Sequence, residues 1–210
     1  GEHDLGADGI VRRMAKRSFD LLFALPSLLL TAPLLLAIAI LVKLDSPGPV
    51  LYAPSMIGRG GRPFRIYRFR TMHPALPEHS SPEDRLTRVG RFLRNYSLDH
   101  LPTLFNILLG DLAVVGPRPM EPEFVDLDDP AWQRYFEVRP GLFNYAVLKL
   151  GRTFGPSNAG NLPRKLALEL EYIDRRSFRF DAQLLIRFAR SHVASRGNIK
   201  ARGEPDGPEK

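Results

Sequence analysis

The feature that most constrains this chain is an uncharged, mostly apolar run near its N-terminus, Leu21 to Val42. As an α-helix rising ~1.5 Å per residue, this run is long enough to cover the ~30 Å hydrocarbon core of a bilayer. Pro33 lies in the middle of the run, where a proline removes a backbone donor and clashes with the preceding turn. We therefore expect a membrane helix that breaks at Pro33.

Basic residues flank the apolar run on both sides and decide its predicted topology. Those before it are Arg12, Arg13, Lys16 and Arg17, and those after it are Lys43, Arg59, Arg62, Arg65, Arg68 and Arg70. Because positive charge is enriched on the cytoplasmic side of membrane segments, both ends are expected in the cytosol. A re-entrant helix-break-helix over residues 18–44 satisfies both the charges and the central proline. A spanning helix with a tolerated kink and a buried core helix are the alternatives.

The two ends of the chain differ in composition from a packed domain. Within the lead-in, residues 1–17, the apolar and basic side chains of residues 10–17 alternate, which is typical of an amphipathic segment at lipid headgroups, although a solvated terminus has the same pattern. Residues 199–210 are almost free of apolar side chains and predict a disordered tail. Residues 45–198 then form a single cytosolic domain, since 210 residues leave room for about one ordinary domain beside a membrane element.

The fold class expected for the cytosolic domain is α+β and mainly helical. Val50–Tyr52 and Phe64–Phe69 predict two short strands around a Gly-rich connection, which make a small β-hairpin. Residues 85–94 carry apolar side chains at helical spacing. Ser97 is the predicted N-cap of a second helix that ends near Leu109.

The charge of the chain indicates an anionic partner. It has 30 Lys and Arg against 23 Asp and Glu, a formal +7, and nine of its arginines fall between residues 59 and 94. Guanidinium groups match phosphate oxygens in bidentate geometry, which favours phosphate-bearing substrates. A nucleic-acid surface is the alternative, but no recognised binding module accompanies the arginines, so we expect no nucleic-acid partner. The absence of cysteine excludes disulfides, thiolate metal sites and a thiol nucleophile.

Asp99 and Arg118 are the candidate reactive residues that the local sequence singles out. Asp99 falls in the first turn of the helix predicted from Ser97, where exposed backbone N–H groups favour a carboxylate. An ordinary helix-start aspartate would occupy the same position. The stiff segment Val114–Pro119 follows the helix directly, and its prolines predict that Arg118 is held close to Asp99.

Taken together, these motifs resemble those of the monotopic phosphoglycosyltransferases, the bacterial sugar transferases that begin polysaccharide and glycoconjugate assembly. The resemblance runs from about Lys16 to Ser191. Its anchors are Lys16–Asp20, the proline-broken hairpin, Lys43, Ser46–Val50, Arg68–Met72, Arg94, Ser97–Asp99, Leu101–Pro102, Asn106, Val115–Pro119, Glu123 and Arg139–Gly141.

The resemblance implies transfer of a phosphosugar from a nucleotide diphosphate sugar to polyprenyl (undecaprenyl) phosphate, at the cytosolic face of the bacterial inner membrane. It further implies release of a nucleoside monophosphate and use of Mg²⁺. Asp99 would be the nucleophile, and Asp99 and Glu123 would bind the metal. The residues implied to bind phosphate are Arg94, Arg118, Arg70 and Arg139. The membrane lipid is one implied partner, and a homodimer or partner glycosyltransferases are others.

This chain departs from the family pattern after the nucleophile, where His100 replaces a glutamate. Mg²⁺ prefers oxygen ligands, so a neutral imidazole is a poor replacement, although His100 could shuttle a proton or, when protonated, bind a phosphate. The other departures are Pro54-Ser-Met56 for Gln-x-Arg, Thr103 for Gln, and Phe143–Lys149 for Thr-Gly-Trp-Ala-Gln-Val-Asn. Two functions therefore stay open: a catalytic transferase with Asp99 and His100 at its centre, and a non-catalytic membrane partner that binds polyprenyl phosphate or a true transferase.

Overall fold

The computed structural model describes residues 7–73, 81, 84–150 and 162–201, with side chains from residue 11 to residue 191 apart from Arg12. The lead-in before residue 7 and the tail beyond residue 201 lie outside these ranges. The described helices are α1 (Ala7–Asp45), α2 (Arg88–Tyr96), α3 (Thr103–Leu109), α4 (Pro130–Tyr135), α5 (Tyr145–Leu150), α6 (Leu162–Arg175) and α7 (Phe178–Ala201). The described strands are β1 (Leu51–Tyr52), β2 (Ser55–Ile57), β3 (Pro63–Arg65), β4 (Arg68–Phe69), β5 (Ala113–Val115) and β6 (Gly141–Phe143). The expectation of a mainly helical chain with a few short strands is confirmed.

Helix α1 runs through Pro26 and Pro33 as one helix of 39 residues, so the structure does not divide it into two helices at Pro33 as predicted. The hydroxyl of Thr31 donates to the carbonyl of Ser27 at 2.7 Å. This back-bonding to the preceding turn often bends helices. The segment Arg13–Asp45 is long and apolar enough to cross a membrane.

One face of α1 exposes a continuous apolar surface. Its exposed large apolar side chains from residue 21 onward are Leu21, Leu22, Leu25, Leu29, Leu30, Leu34, Leu36, Ile40, Leu41 and Leu44. Only 11% of the apolar window of α1 is buried, which contradicts the alternative of a buried core helix. A surface of this kind is unfavourable in water and favourable in hydrocarbon, which fits membrane association.

The N-terminal part of α1 is fastened to the domain that follows it. The guanidinium of Arg17 donates to the carbonyls of Ile107 at 2.6 Å and Leu108 at 2.7 Å, at the end of α3. The buried carboxylate of Asp20 accepts the N–H of Val114 in β5 at 2.9 Å. These charged contacts fix the helix against α3 and β5.

The C-terminal part of α1 is fastened to the same domain. The buried guanidinium of Arg70 donates to the carbonyls of Ser46 at 2.7 Å and Pro47 at 2.5 Å, just beyond the last turn. The carboxylate of Asp45 accepts the N–H of Val89 in α2 at 2.9 Å. Both ends of the apolar helix therefore meet one body.

The strands after α1 form two antiparallel pairs, β1 with β4 and β2 with β3. The predicted pairing of Val50–Tyr52 with Phe64–Phe69 corresponds to β1 with β4, whereas β2 was not predicted. The single strand expected over Phe64–Phe69 is instead split into β3 and β4. The split falls at Tyr67, because its N–H donates to the side-chain oxygen of Asn106 in α3 at 2.9 Å rather than to a strand. Strands β5 and β6 pair in parallel, which was not predicted.

The hydrophobic core lies where α3, β5, α6 and α7 meet. Ile107, Val114 and Leu184 are fully buried at its centre. A second cluster packs the aromatic rings of α4 against α6, with Trp132 and Tyr135 buried. These clusters make rigid supports for the loops that leave α3 and β5.

Candidate active site

Asp99 lies in a 3-10 turn, Leu98–His100, between α2 and α3. Ser97 occupies the predicted N-cap position of this turn, but its side chain makes no capping hydrogen bond there. Ser97 also ends α2 in the left-handed conformation, with φ 56° and ψ 28°, and α3 begins only at Thr103. Asp99 is 9% exposed, and its Oδ1 has no hydrogen-bond partner among the described residues. A buried carboxylate oxygen is costly to leave unpaired, so this atom is well suited to meet a ligand.

His100 stands beside the same carboxylate. Its Nε2 lies 3.6 Å from Oδ2 of Asp99, beyond the length of a good hydrogen bond. The imidazole is 41% exposed, so it can reach both solvent and a bound substrate. Once protonated, it would form an ion pair with Asp99 and add positive charge to the site.

Arg68 is the site residue that the sequence did not identify. Burial lowers the pKa of its guanidinium, the charge of Arg118 lowers that pKa further, and the carboxylates of Asp99 and Glu121 raise it. The charge of Arg68 therefore interacts with Asp99 in one segment and with Arg118 and Glu121 in another. These charge interactions indicate that the three segments lie near one another.

Helix α3 sets the position of the segment that carries Arg68. The side-chain amide of Asn106 donates to the carbonyl of Arg65 at 2.7 Å, and the hydroxyl of Thr103 donates to the carbonyl of Tyr67 at 3.0 Å. Both side chains are fully buried, so these bonds are shielded from water. Thr103, one of the departures from the family pattern, thus has a structural contact here.

Glu121 and Glu123 form a carboxyl pair at the other side of the site. They flank Pro122 in a short 3-10 turn. Burial raises the pKa of Glu121, and its hydrogen bond to Glu123 and the charge of Glu123 raise it further, while Arg68 and Arg118 lower it. Two carboxyl groups this close favour sharing a proton or a cation. Glu123 was predicted, whereas Glu121 was missed because the family pattern did not mark it.

Arg118 interacts through its charge with two residues of the site, Arg68 and Glu121. Its charge acts on the pKa values of both groups. Within the described residues, however, no hydrogen bond or ion pair joins Arg118 to Asp99. Arg68 is the residue whose charge interacts with both.

Arg70 and Arg94 have other contacts. The guanidinium of Arg70 donates hydrogen bonds to the backbone carbonyls after α1. Its contacts are therefore those of a structural residue rather than a phosphate ligand. Arg94 is exposed, and its Nε donates to the hydroxyl of Thr71 at 3.0 Å. The structure therefore brings Arg68, not Arg70, into the charge network around Asp99.

Arg139 lies in a second basic group. Burial lowers the pKa of Arg139, and the charges of Arg59 and Arg17 lower it further, while Asp20 raises it. None of these neighbours belongs to the network around Arg68. Arg139 is thus near the start of the membrane helix rather than beside Asp99.

The carboxylates around Asp99 are oxygen donors of the kind that Mg²⁺ prefers. No group of three His, Cys, Asp or Glu side chains in the described ranges could hold a metal alone. Mg²⁺ is commonly bound by one or two carboxylates plus substrate phosphates. The unpaired oxygen of Asp99 and the pair Glu121–Glu123 supply hard oxygen donors of that kind, whereas His100 supplies none.

Comparisons with known proteins identify the family of the chain. The profile of a family described as bacterial sugar transferase matches residues 11–195. The chain is 35% identical over 190 residues to the UDP-N-acetylgalactosamine-undecaprenyl-phosphate N-acetylgalactosaminephosphotransferase of Aeromonas hydrophila, a match that covers 87% of this chain and 44% of that protein. It is 36% identical over 182 residues to the UDP-glucose:undecaprenyl-phosphate glucose-1-phosphate transferase of Caulobacter vibrioides, covering 83% of this chain and 68% of that protein.

A shorter relative matches over nearly its whole length. The sugar transferase EpsL of Bacillus subtilis, whose function is uncharacterised, is 36% identical over 185 residues, which cover 87% of this chain and 89% of that protein. The matched region includes Asp99, His100, Arg118 and Glu123. The chain belongs to the bacterial sugar transferase family.

Proposed function

We propose that this chain transfers a sugar 1-phosphate from a nucleotide diphosphate sugar to polyprenyl phosphate at the cytosolic face of the bacterial inner membrane. The observation that carries the proposal is the buried, unpaired Oδ1 of Asp99, whose charge acts on Arg68 in a network that includes Arg118 and Glu121. The substrate class rests on relatives that are named undecaprenyl-phosphate phosphotransferases.

In the proposed reaction, a carboxylate oxygen of Asp99 attacks the phosphorus that bears the sugar. The bond from this phosphorus to the bridging oxygen breaks, and a nucleoside monophosphate leaves. An oxygen of polyprenyl phosphate then attacks the same phosphorus, which releases Asp99 and yields a polyprenyl diphosphate sugar. Arg68 and Arg118 stabilise the negative charge on the transferring phosphoryl group.

Asp99 and Glu123, together with phosphate oxygens of the substrate, would hold the magnesium ion expected for this chemistry. When bound, the ion would neutralise the diphosphate and favour departure of the monophosphate. His100 is placed to exchange a proton or, once protonated, to contact the leaving phosphate. In this proposal, the carboxylate oxygens bind the metal and the imidazole of His100 exchanges the proton.

We propose further that α1 is re-entrant, with both ends in the cytosol. A straight helix would hold Arg17 and Ser46 ~43 Å apart. Both residues instead contact one small body: Arg17 bonds the end of α3, and Ser46 accepts from Arg70. Asn106 of α3 bonds Tyr67, only ~10 Å of extended chain from Arg70. These short connections favour a bent helix whose two ends return to the same membrane face.

Release of nucleoside monophosphate tests the function. The parent protein, Asp99→Asn and the exposed control Asp128→Asn are incubated with polyprenyl phosphate, Mg²⁺ and a panel of nucleotide diphosphate sugars. Release by the parent and by Asp128→Asn, with loss in Asp99→Asn, supports the proposal. Release that survives Asp99→Asn would contradict the role of Asp99.

The second candidate function is a non-catalytic membrane partner that binds polyprenyl phosphate or a true transferase. The observation that favours it is the imidazole of His100 beside Asp99, at the position where the resemblance leads us to expect a carboxylate. If the folded, membrane-inserted parent releases no monophosphate from any donor of the panel, while it still retains polyprenyl phosphate, this second function is preferred.

A further inference from the structure

The backbone of Arg118 is held by a side chain from helix α4. The hydroxyl of Tyr135 donates to the carbonyl of Arg118 at 2.6 Å. Tyr135 is 2% exposed and packs against the rings of Trp132 and Phe136, which fixes the hydroxyl in place. A short hydrogen bond from a rigid, buried donor leaves the carbonyl of Arg118 little freedom.

Glu169 of helix α6 also lies near Arg118, and both residues line one small cavity with Tyr135. Glu169 is 1% exposed, and its Oε1 accepts the N–H of Ala146 at 3.3 Å. Burial raises the pKa of Glu169 to about 8, while the N–H of Ala146 and then the N–H and charge of Arg118 act to lower it. The carboxyl group is therefore close to both the backbone and the guanidinium of Arg118.

A small cavity separates these two side chains. It has a volume of about 10 Å³ and is lined by Arg118, Tyr135 and Glu169, with Met120, Trp132 and Lys165. This is room for about one water molecule, not for a sugar or a base. Oε2 of Glu169 is buried without a hydrogen-bond partner in the described part of the chain. Such a group is costly for stability, so packing alone does not account for it.

We infer that Tyr135 and Glu169 are positioning residues that fix Arg118 from behind and aim its guanidinium at the diphosphate of the substrate. The inference rests on the proposed function. Neither residue needs to touch substrate, because each acts on the loop that carries Arg118. Displacement of a substrate-positioning group by ~1 Å can cost about 10²-fold in rate, so this support is large enough to matter.

A double-mutant cycle tests the inference, with Tyr135→Phe, Arg118→Ala and the double variant. Tyr135→Phe removes only the hydroxyl, and we expect kcat/KM to fall by about tenfold or more. In the Arg118→Ala background the same change should cost less than about twofold, since the guanidinium it positions is gone. The matched control is Tyr145→Phe, because Tyr145 is as buried as Tyr135 but its hydroxyl donates to Glu171 at 3.1 Å instead. Equal losses in both backgrounds, or an equal loss in the control, would overturn the inference.

Glu169→Gln, which keeps nearly the same side-chain size, is a second variant in case Tyr135→Phe folds poorly. Its fall in kcat/KM should likewise vanish in the Arg118→Ala background. The same proteins are titrated with Mg²⁺ and inorganic pyrophosphate, which needs no turnover. Weaker pyrophosphate binding in Tyr135→Phe and Glu169→Gln, but no further weakening beyond Arg118→Ala, supports the inference even if no sugar donor reacts. A parent that does not bind pyrophosphate, or additive losses, would overturn it. A parent that binds pyrophosphate without turnover would contradict only the proposed function.

Discussion

At the level of single residues, the proposed reaction depends on which arginine lies near the carboxylate of Asp99. Arg68 and Arg70 are two residues apart in one extended segment, and both are half-buried or buried. Arg68 belongs to the charge network of Asp99, whereas Arg70 bonds the backbone beyond α1. Substitutions at the two positions should therefore have different consequences.

Arg68→Lys should lower kcat by about tenfold or more with little loss of stability. The lysine keeps one positive charge but loses the planar fork that binds two phosphate oxygens at once. Steady-state kinetics with the preferred sugar nucleotide would measure the effect, with Arg65→Lys as the exposed control on the preceding strand. Equal kinetics for Arg68→Lys and the parent would rule out a direct role of Arg68 in stabilising the phosphoryl group.

Glu169 should make the folded state less stable as pH rises. Burial raises its pKa from the ordinary 4.5 to about 8, so the folded protein retains a proton that the unfolded chain releases. The stabilisation is full below about pH 4.5 and is lost as pH rises through about 8. Unfolding in detergent at pH 5 to 8 should therefore show a steeper fall for the parent than for Glu169→Gln. Identical slopes would mean that Glu169 is ionised in the folded protein.

At the scale of elements, the ends of α1 are set by charged side chains of the domain. Arg70 bonds the carbonyls of Ser46 and Pro47 after the helix, and Arg17 bonds the last carbonyls of α3. Carbonyls at helix ends lack partners within the helix, so these guanidinium groups satisfy acceptors that would otherwise be unpaired. The elements are thus joined by buried charge-assisted hydrogen bonds as well as by apolar packing.

Arg70→Ala should destabilise the protein by about 1.5–3 kcal/mol, the usual contribution of hydrogen bonds that involve a charged group. The reason is the loss of the bonds to Ser46 and Pro47 in a buried site. Chemical unfolding in detergent would measure it, with the exposed Arg94→Ala as control. A normal stability together with weaker substrate binding would instead restore the phosphate-binding role that was expected for Arg70.

Some secondary-structure elements could be predicted from the sequence, and others could not. The long apolar helix and the short strands after it depend on local composition and were predicted in kind. The split at Tyr67 was not, because it arises from Asn106, which is distant in sequence. Ser97 resembles a helix cap by residue type, but its left-handed backbone ends α2 instead. Arg68 and Glu121 became visible only through contacts between segments.

At the scale of the whole molecule, a basic domain is fastened to both ends of an apolar helix. In the proposed re-entrant topology, both ends of α1 lie on one side of the bilayer. The domain that carries Asp99 would then lie on that same side, where the proposed acceptor, polyprenyl phosphate, would present its headgroup.

Cysteine labelling tests that topology cleanly, because the chain has no cysteine of its own. We expect Met14→Cys and Arg62→Cys, both at exposed positions, to be labelled from the same side of sealed vesicles. Adding Pro33→Leu restores a backbone donor and removes a ring clash that costs ~3 kcal/mol in a helix interior, so it should favour a straight helix. Labelling of the two cysteines from opposite sides without Pro33→Leu would show that α1 spans the membrane.

Mass spectrometry of the protein after incubation with sugar nucleotides tests most directly whether Asp99 is the nucleophile. The proposed reaction predicts an acid-labile phosphosugar adduct on Asp99 of the otherwise unmodified chain, despite the imidazole of His100 beside it. The adduct should be absent from Asp99→Asn and should disappear when polyprenyl phosphate is added. The absence of any adduct across a broad donor panel, with folding and membrane insertion verified, would contradict catalysis through Asp99.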